Sequence, residues 1–350
     1  MRNHIFPQTL LLTLLATCVT FGPASSAWAL DEVLLLGDKD SVRGEIEEMS
    51  ADKVVLKSGI RTKEVPTSEI EVIRFDAAPP RLNLVRVREE NGDLAAALTD
   101  YLQMQSEVTD RNVKTELEFL IGRTLARQGL SDAAKRKEAI GKLETFRVSY
   151  PDFYRYYDSL NWLGKMYEAD GNSTQLQSTY EELGKSPLPE FQLSAKLALA
   201  RAALKAGQLD KAVADFQSVA QAPADTPALK QRKYEAMLGQ AAVLQQQSKH
   251  DEAIAKVDEV VSASSPSDTA IQAEALLRKG DSLRLMNQPK DALLAYLHVD
   301  VLFAKEATFH SEALYRLAEL WNAVGNTDRA VEARTQLAAL YPDSKWLKQP

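Results

Sequence analysis

Few residues in this chain have the type and spacing that bond-making chemistry needs. There are four histidines and one cysteine, Cys18. A single thiol excludes a disulfide framework and any cysteine-based metal cluster. His250 falls in a polar turn, and His298 and His310 stand apart with no carboxylate pattern between them. Neither metal coordination nor general-base catalysis is expected of them. No HExxH, GxSxG or GxGxxG run occurs. Gly184-Lys185-Ser186 ends like a phosphate loop, but Thr179 stands where that loop requires a glycine, and the run follows a helical pattern rather than a strand. It reads as a helix end. Asp38 and Asp40 open like a calcium loop that lacks its glycine and terminal glutamate. The expectation is a protein with no catalytic residue, no metal and no cofactor, and hence not an enzyme.

The remaining chemistry is that of binding. The 350 residues carry a formal net charge of -7, which argues against a nucleic-acid binder held by bulk positive charge. Residues 1–29 hold one charged side chain, Arg2, then an apolar run at 10–21, then Ala27-Trp28-Ala29. That order is the n-region, h-region and small-x-small site of a secretory signal peptide, with cleavage expected after Ala29. The apolar run is too short to span roughly 30 Å of hydrocarbon. Leu15-Ala16-Thr17-Cys18 resembles a bacterial lipobox, but Thr17 replaces the usual small residue before the cysteine, which counts against lipidation. Export to the periplasm or another extracytoplasmic space is expected. The mature chain would be soluble and free of cysteine, held by its core alone.

From 32 to 75 the pattern alternates with period two and is rich in Val and Ile. Strands are expected at 32–36, 41–49, 53–57, 61–65 and 69–75, separated by polar turns. Five short strands in so few residues suggest a small closed barrel. Val42-Arg43-Gly44-Glu45-Ile46, Lys53-Val54-Val55-Leu56 and Ile70-Glu71-Val72-Ile73-Arg74-Phe75 resemble an Sm-like or SH3-like barrel. Sm-like proteins bind RNA, but this stretch lacks a basic face interleaved with aromatics, so a docking or capping role is expected instead. Ala77-Ala78-Pro79-Pro80 then stops the last strand and marks a linker.

From Arg81 onward the period turns helical and the chain repeats itself. The clearest unit runs from Tyr315-Arg316-Leu317-Ala318 through Gly325-Asn326-Thr327-Asp328-Arg329-Ala330 to Tyr341-Pro342. The same turn recurs at Gly92, Gly171, Gly207, Ser248 and Asn287. Its small or apolar landmarks, Ala97, Ala139, Leu176, Ala212, Ala253, Ala292 and Ala330, come every 36 to 42 residues. These units resemble tetratricopeptide repeats. The matches are Gly122 with Leu125, Gly164 with Tyr167, Ala200 with Ala203, Gly280 with Leu283 and Ala318 with Trp321. The family period is about 34, so several loops or helices here are longer. The resemblance implies helix pairs whose small residues permit close packing, stacked into a superhelix with a concave face lined by the first helix of each pair. The expected organisation is mainly α: a signal peptide at 1–29, a small five-stranded β-barrel at 30–76, a linker at 77–80, and an α-solenoid of about seven helix pairs at 81–350.

Two sets of binding residues follow. If the small residues set the register, the residue after each points into the groove. Arg123, Lys165 and Arg201, joined by Arg127 and Asn161, would make a basic half, while Asp281 and Glu319 would make an acidic half, with Ala242 between. Such a groove suits an extended peptide of matching polarity. The second set comes from an aromatic cluster between Phe146 and Tyr167, in which Tyr154, Tyr156 and Trp162 fall off the expected core positions and so suit an interface. The function expected is an exported, non-catalytic scaffold of the bacterial cell envelope that binds another protein. The alternative is an accessory subunit that binds polysaccharide or peptidoglycan, with the aromatic cluster stacking on sugars.

Overall fold

A computed structural model of the chain describes residues 30–36, 41–342 and 344–349. The expected signal peptide with Cys18, and the 37–40 turn with Asp38 and Asp40, lie outside these residues. The strands are β1 (Asp31–Leu35), β2 (Ser41–Met49), β3 (Lys53–Ser58), β4 (Arg61–Pro66) and β5 (Ile70–Arg74). Each falls within a residue of the limits its alternation sets. A turn of 3-10 helix at Thr67–Glu69 joins β4 to β5.

The strands do not close into the expected barrel. They form one antiparallel sheet in the order β4-β3-β2-β1-β5, which leaves β4 and β5 at opposite edges. The reason lies in what saturates the free edge of β5. The Ile73 N–H donates to the Tyr154 hydroxyl at 3.4 Å. Arg86 donates to the Ile73 carbonyl at 3.4 Å, and Arg155 to the Glu71 carbonyl at 2.8 Å. Side chains of the helical region thus occupy backbone groups that a closing strand would have paired. The apolar face follows the same course. Val33, Val54, Leu56, Ile73 and Phe75 belong to one continuous core with Leu82, Val85, Phe119, Phe153 and Tyr154. The sheet finishes its core on the helices rather than on itself.

Fourteen helices follow among the described residues. They are α1 (Arg81–Glu90), α2 (Leu94–Glu107), α3 (Arg111–Gly129), α4 (Ala133–Ser149), α5 (Tyr156–Asp170), α6 (Ser173–Leu183) and α7 (Pro189–Lys205), then α8 (Leu209–Ala220), α9 (Pro227–Gln246), α10 (His250–Ala263), α11 (Thr269–Leu285), α12 (Pro289–Leu302), α13 (Ala307–Ala323) and α14 (Thr327–Leu340). They pair in sequence as seven hairpins, and successive odd-numbered helices also touch one another. That makes the odd helices a layer of their own, with the even helices on its outside.

The turns within six of the seven pairs share one geometry, at the positions the repeat pattern marks. Gly92, Gly171, Gly207 and Gly325 have positive φ, as do Ser248 (60°) and Asn287 (58°). In each turn the next residue donates its N–H to the carbonyl five residues back, which closes the first helix and starts the second. The α3–α4 pair departs from this: its connection has no residue with positive φ, and Asp132 caps α4 by accepting from Ala134 and Lys135. Close packing sets the rest of the register. A Cβ on Gly164 would overlap the Tyr180 ring, and one on Gly280 would lie 2.6 Å from Tyr296. In both pairs the ring lies sixteen residues after the glycine.

A buried carboxylate ties sheet to array. Glu116 on α3 is fully buried, with Arg86 at 2.8 Å, the Tyr154 hydroxyl donating at 2.8 Å, and Arg155 at 3.7 Å. Burial alone would raise its pKa, but Arg155 and Arg86 outweigh that and hold it below the usual carboxylate range. One turn-helix interface away, Glu89 is likewise buried and accepts from Arg123, Arg127 and Tyr101.

Two outcomes are expected. Glu116→Gln should cost about 3–5 kcal/mol at neutral pH in urea unfolding, because Arg86 and Arg155 stay buried without that counter-charge. The gap to wild type should narrow as pH falls below about 4, since a carboxylate with a depressed folded-state pKa stabilises above its unfolded pKa and loses that contribution as it protonates. Ser248→Gly should raise stability by about 1 kcal/mol, because a non-glycine residue pays a steric cost in the left-handed region. A loss of stability there would refute the turn assignment.

Candidate functional site

The face built by the odd-numbered helices carries most of the residues expected to bind. Its charges do not divide into a basic half and an acidic half. They alternate as pairs that bridge neighbouring repeats. Arg123 on α3 meets Glu89 on α1 at 2.6 Å, and Arg127 meets the same carboxylate at 3.4 Å. Arg201 on α7 meets Glu235 on α9 at 3.2 Å. Asp281 on α11 meets Arg316 on α13 at 3.6 Å and its own neighbour Arg278 at 3.7 Å, and it accepts from the Tyr296 hydroxyl at 2.7 Å. Glu319 is exposed, and it accepts from Arg316 at 3.1 Å and from the Tyr315 hydroxyl at 3.0 Å. The Arg123–Glu89 and Arg201–Glu235 pairs each span 34 residues, so a repeat-length offset between arginine and glutamate was the sequence signal for partners that the register argument missed.

Lys165 differs from these. It lies on α5 a turn beyond the half-buried Asn161, and among the described residues no carboxylate is within ion-pair distance of its ammonium, which rests 4.6 Å from the Trp162 ring centre. The residue as a whole is exposed, while the protein around its ammonium partly desolvates it. Burial lowers its pKa, and the positive charges of Arg232 and Arg201 push the same way, against Glu235 and Asp158.

Beyond Arg201 the face opens into a cleft of about 600 Å³ between α7, α9 and α11. Leu204, Ala242 and Leu285 supply its apolar surface, with Arg201, Lys205, Glu274 and Arg278 around them. Leu285 is 53% exposed, so its side chain adds apolar surface at the cleft. Of the residues expected in the groove, Arg201 and Ala242 line this cleft.

The aromatic cluster takes a different role from the one expected of it. Tyr154 is not at an interface: it is 1% exposed and packs on Phe153 (centroids 5.0 Å apart) and Phe75 (6.4 Å). It belongs to the joint between sheet and array, where its hydroxyl has two partners already described. Tyr156 is half-buried and donates to Glu182 at 2.5 Å. Trp162 is half-buried beneath Lys165. The wider cluster continues through Tyr157, which packs on Phe191 at 4.9 Å and donates to Asp52 at the start of β3.

The histidines remain apart. His310 is buried between Asp300 (2.8 Å) and the Tyr341 hydroxyl (2.7 Å), His298 is exposed on α12, and His250 opens α10. Among the described residues, no group of three or more His, Cys, Asp or Glu side chains could hold a metal ion. Gly184 is the C-terminal cap of α6, as a helix end requires.

With this geometry in hand, similarity to known proteins can be placed. Residues 312–344, covering most of α13 and all of α14, match the tetratricopeptide repeat family. No curated protein sequence matches the chain. Among solved structures, a tetratricopeptide repeat protein from Parabacteroides merdae ATCC 43184 superposes with a TM-score of 0.50 at 14% identity, over 76% of this chain and 96% of that one. The apo form of RapI gives 0.46 at 12% identity, covering 76% of each chain. PilW, a type IV pilus biogenesis factor, gives 0.42 at 17% identity, over 69% of this chain and 98% of that one. The likeness to the Parabacteroides protein is one of fold. No helix among the described residues is long and apolar enough to cross a membrane.

The electrostatics of the face can be read directly at Lys165. Following its side-chain carbon resonances with pH, Arg232→Gln should raise the Lys165 titration and Glu235→Gln should lower it further. Equal titration in all three proteins would mean that the ammonium does not sense those charges.

Proposed function

We propose that this chain is an exported, non-catalytic scaffold of the bacterial cell envelope, and that the face of its odd-numbered helices holds a segment of another protein. The observation that carries the reading is the open cleft between α7, α9 and α11, with its uncovered Leu285. An apolar floor ringed by charged and amide groups fits an extended peptide, whose side chains need the floor and whose backbone needs the rim. Stacked helix pairs supply such a face without any catalytic group. Export rests on the residues of the first segment, Arg2, the 10–21 apolar run and Ala27-Trp28-Ala29. The saccharide alternative needs a row of open rings, and the three rings it relied on are engaged by Glu116, Glu182 and Lys165.

Selection of linear peptides from a displayed library against the protein tests the reading. Enriched peptides should lose at least tenfold in affinity on Arg201→Glu or Leu285→Glu. They should be indifferent to Val301→Ser, a 73% exposed position on α12. A selection that enriches nothing, or binders that ignore both cleft substitutions, would overturn it.

A further inference from the structure

The charged residues of the inner face are not equally satisfied, and the imbalance is local. Around the junction of α5, α7 and α9, Arg201 and Arg232 share one carboxylate, Glu235, at 3.2 and 2.7 Å. Lys165 and Lys205 have no ion-pair partner among the described residues, while Glu274 and Glu168 both act on Arg201 from beyond bonding distance. Asp158, the acid that acts on Lys165 from its own helix, is held by Arg155 at 3.0 Å. Arg201 and Arg232 therefore share Glu235 between them, and Lys165 is left beside both with no bonded carboxylate among the described residues. On the far side of the cleft the charges balance, with Glu274 and Arg278 paired at 3.8 Å. Between these two regions lies the apolar surface of Leu204, Ala242 and Leu285.

From this juxtaposition we infer that the partner segment is an acidic–apolar one: a carboxylate side chain seated between Lys165 and Arg201, and a large apolar side chain in the cleft between α7, α9 and α11. The assignment rests on the peptide-binding reading above and gives it a specificity. A carboxylate at Lys165 supplies a counter-charge that no bonded group there provides, beside protein that already desolvates the ammonium, so the pairing is stronger than at a fully solvated surface. A basic segment meets repulsion there from Lys165, Arg201 and Arg232 together, which makes the cluster a filter as well as an attraction. The apolar side chain covers Leu285 and removes it from water. Gln246, exposed on the rim, is free to bond the peptide backbone. The ammonium's lowered pKa agrees with this placement, because an arriving anion would restore it.

An array of immobilised decapeptides, probed with the full chain, tests the assignment. Each peptide carries a Leu at the centre of a Ser/Gly frame, with one Glu or one Lys moved through the other positions. The best Glu register should bind at least tenfold more strongly than its Lys counterpart. Lys165→Gln should abolish the Glu preference while the dependence on the central Leu persists. Leu285→Ser, at an exposed position that folding does not require, should weaken the dependence on Leu while the Glu preference persists. If decapeptides bind with no Glu preference, or Lys165→Gln leaves that preference intact, the acidic–apolar assignment is wrong and peptide binding by the face survives. If no decapeptide binds although library-selected peptides do, the assignment is likewise wrong. If neither set binds, the peptide-binding reading falls with it.

Discussion

A carboxylate cut off from water must be surrounded by donors or give up its charge, and Glu116 shows how much of this molecule follows from that requirement. The donors that satisfy it are Arg86 from α1, Tyr154 from the segment before α5, and the guanidinium of Arg155. The same three side chains reach past Glu116 to the backbone of β5. One buried charge therefore fixes where the first helix, the third and fifth helices and the edge of the sheet can sit relative to one another. A barrel that closed on itself would need those backbone groups for its own strands. The open sheet and the buried ion pairs are two views of one compensation.

The array carries the compensation outward by a different device. Six of the seven hairpins are set by a left-handed residue in the turn, and in pairs such as α5–α6 and α11–α12 a glycine lets the two helices approach. These features are local, and they would leave neighbouring repeats free to slide if packing alone joined them. Ion pairs such as Arg201–Glu235 reach from one odd helix to the next in the α1–α3, α7–α9 and α11–α13 neighbours. Their worth in stability is modest at partial exposure. Their geometric effect is larger, since a pair formed in only one register disfavours the others.

What could be read from the chain itself divides along the same line between local and non-local. The strand limits, the six left-handed turn positions and the small-to-large packing in the helix pairs are set by residues a few positions apart, so alternation, turn chemistry and periodicity exposed them. Ser248 and Asn287 were legible as turns without being glycine, because their place in the repeat marked them. The closure of the sheet was not legible, because it depends on Tyr154 and Arg155 arriving about 80 residues later at the edge of β5. Tyr154 was misjudged for the same reason. Helical periodicity has no core position for it, and its core is formed by a sheet that the period of the helices does not describe. The groove residues were chosen by register, which located Arg201 and Ala242 in the cleft. Register says nothing about the carboxylates opposite them, so a divided groove was expected where alternating pairs occur.

That alternation bears on how a face of this kind can be selective. A charge already met by its opposite offers a ligand little, since any new contact competes with an existing one and costs some desolvation. Arg123, held by a fully buried Glu89, contributes shape to the face and scarcely any attraction. Selectivity must then come from groups left unmatched, and two of these, Lys165 beside Arg201 and Arg232 and the exposed Leu285, flank the same cleft region. A largely neutral ladder is what allows those two to be distinguished from their surroundings. In a uniformly basic groove an acidic segment would bind in many registers, whereas against a compensated background one unpaired ammonium beside one apolar cleft defines a single register.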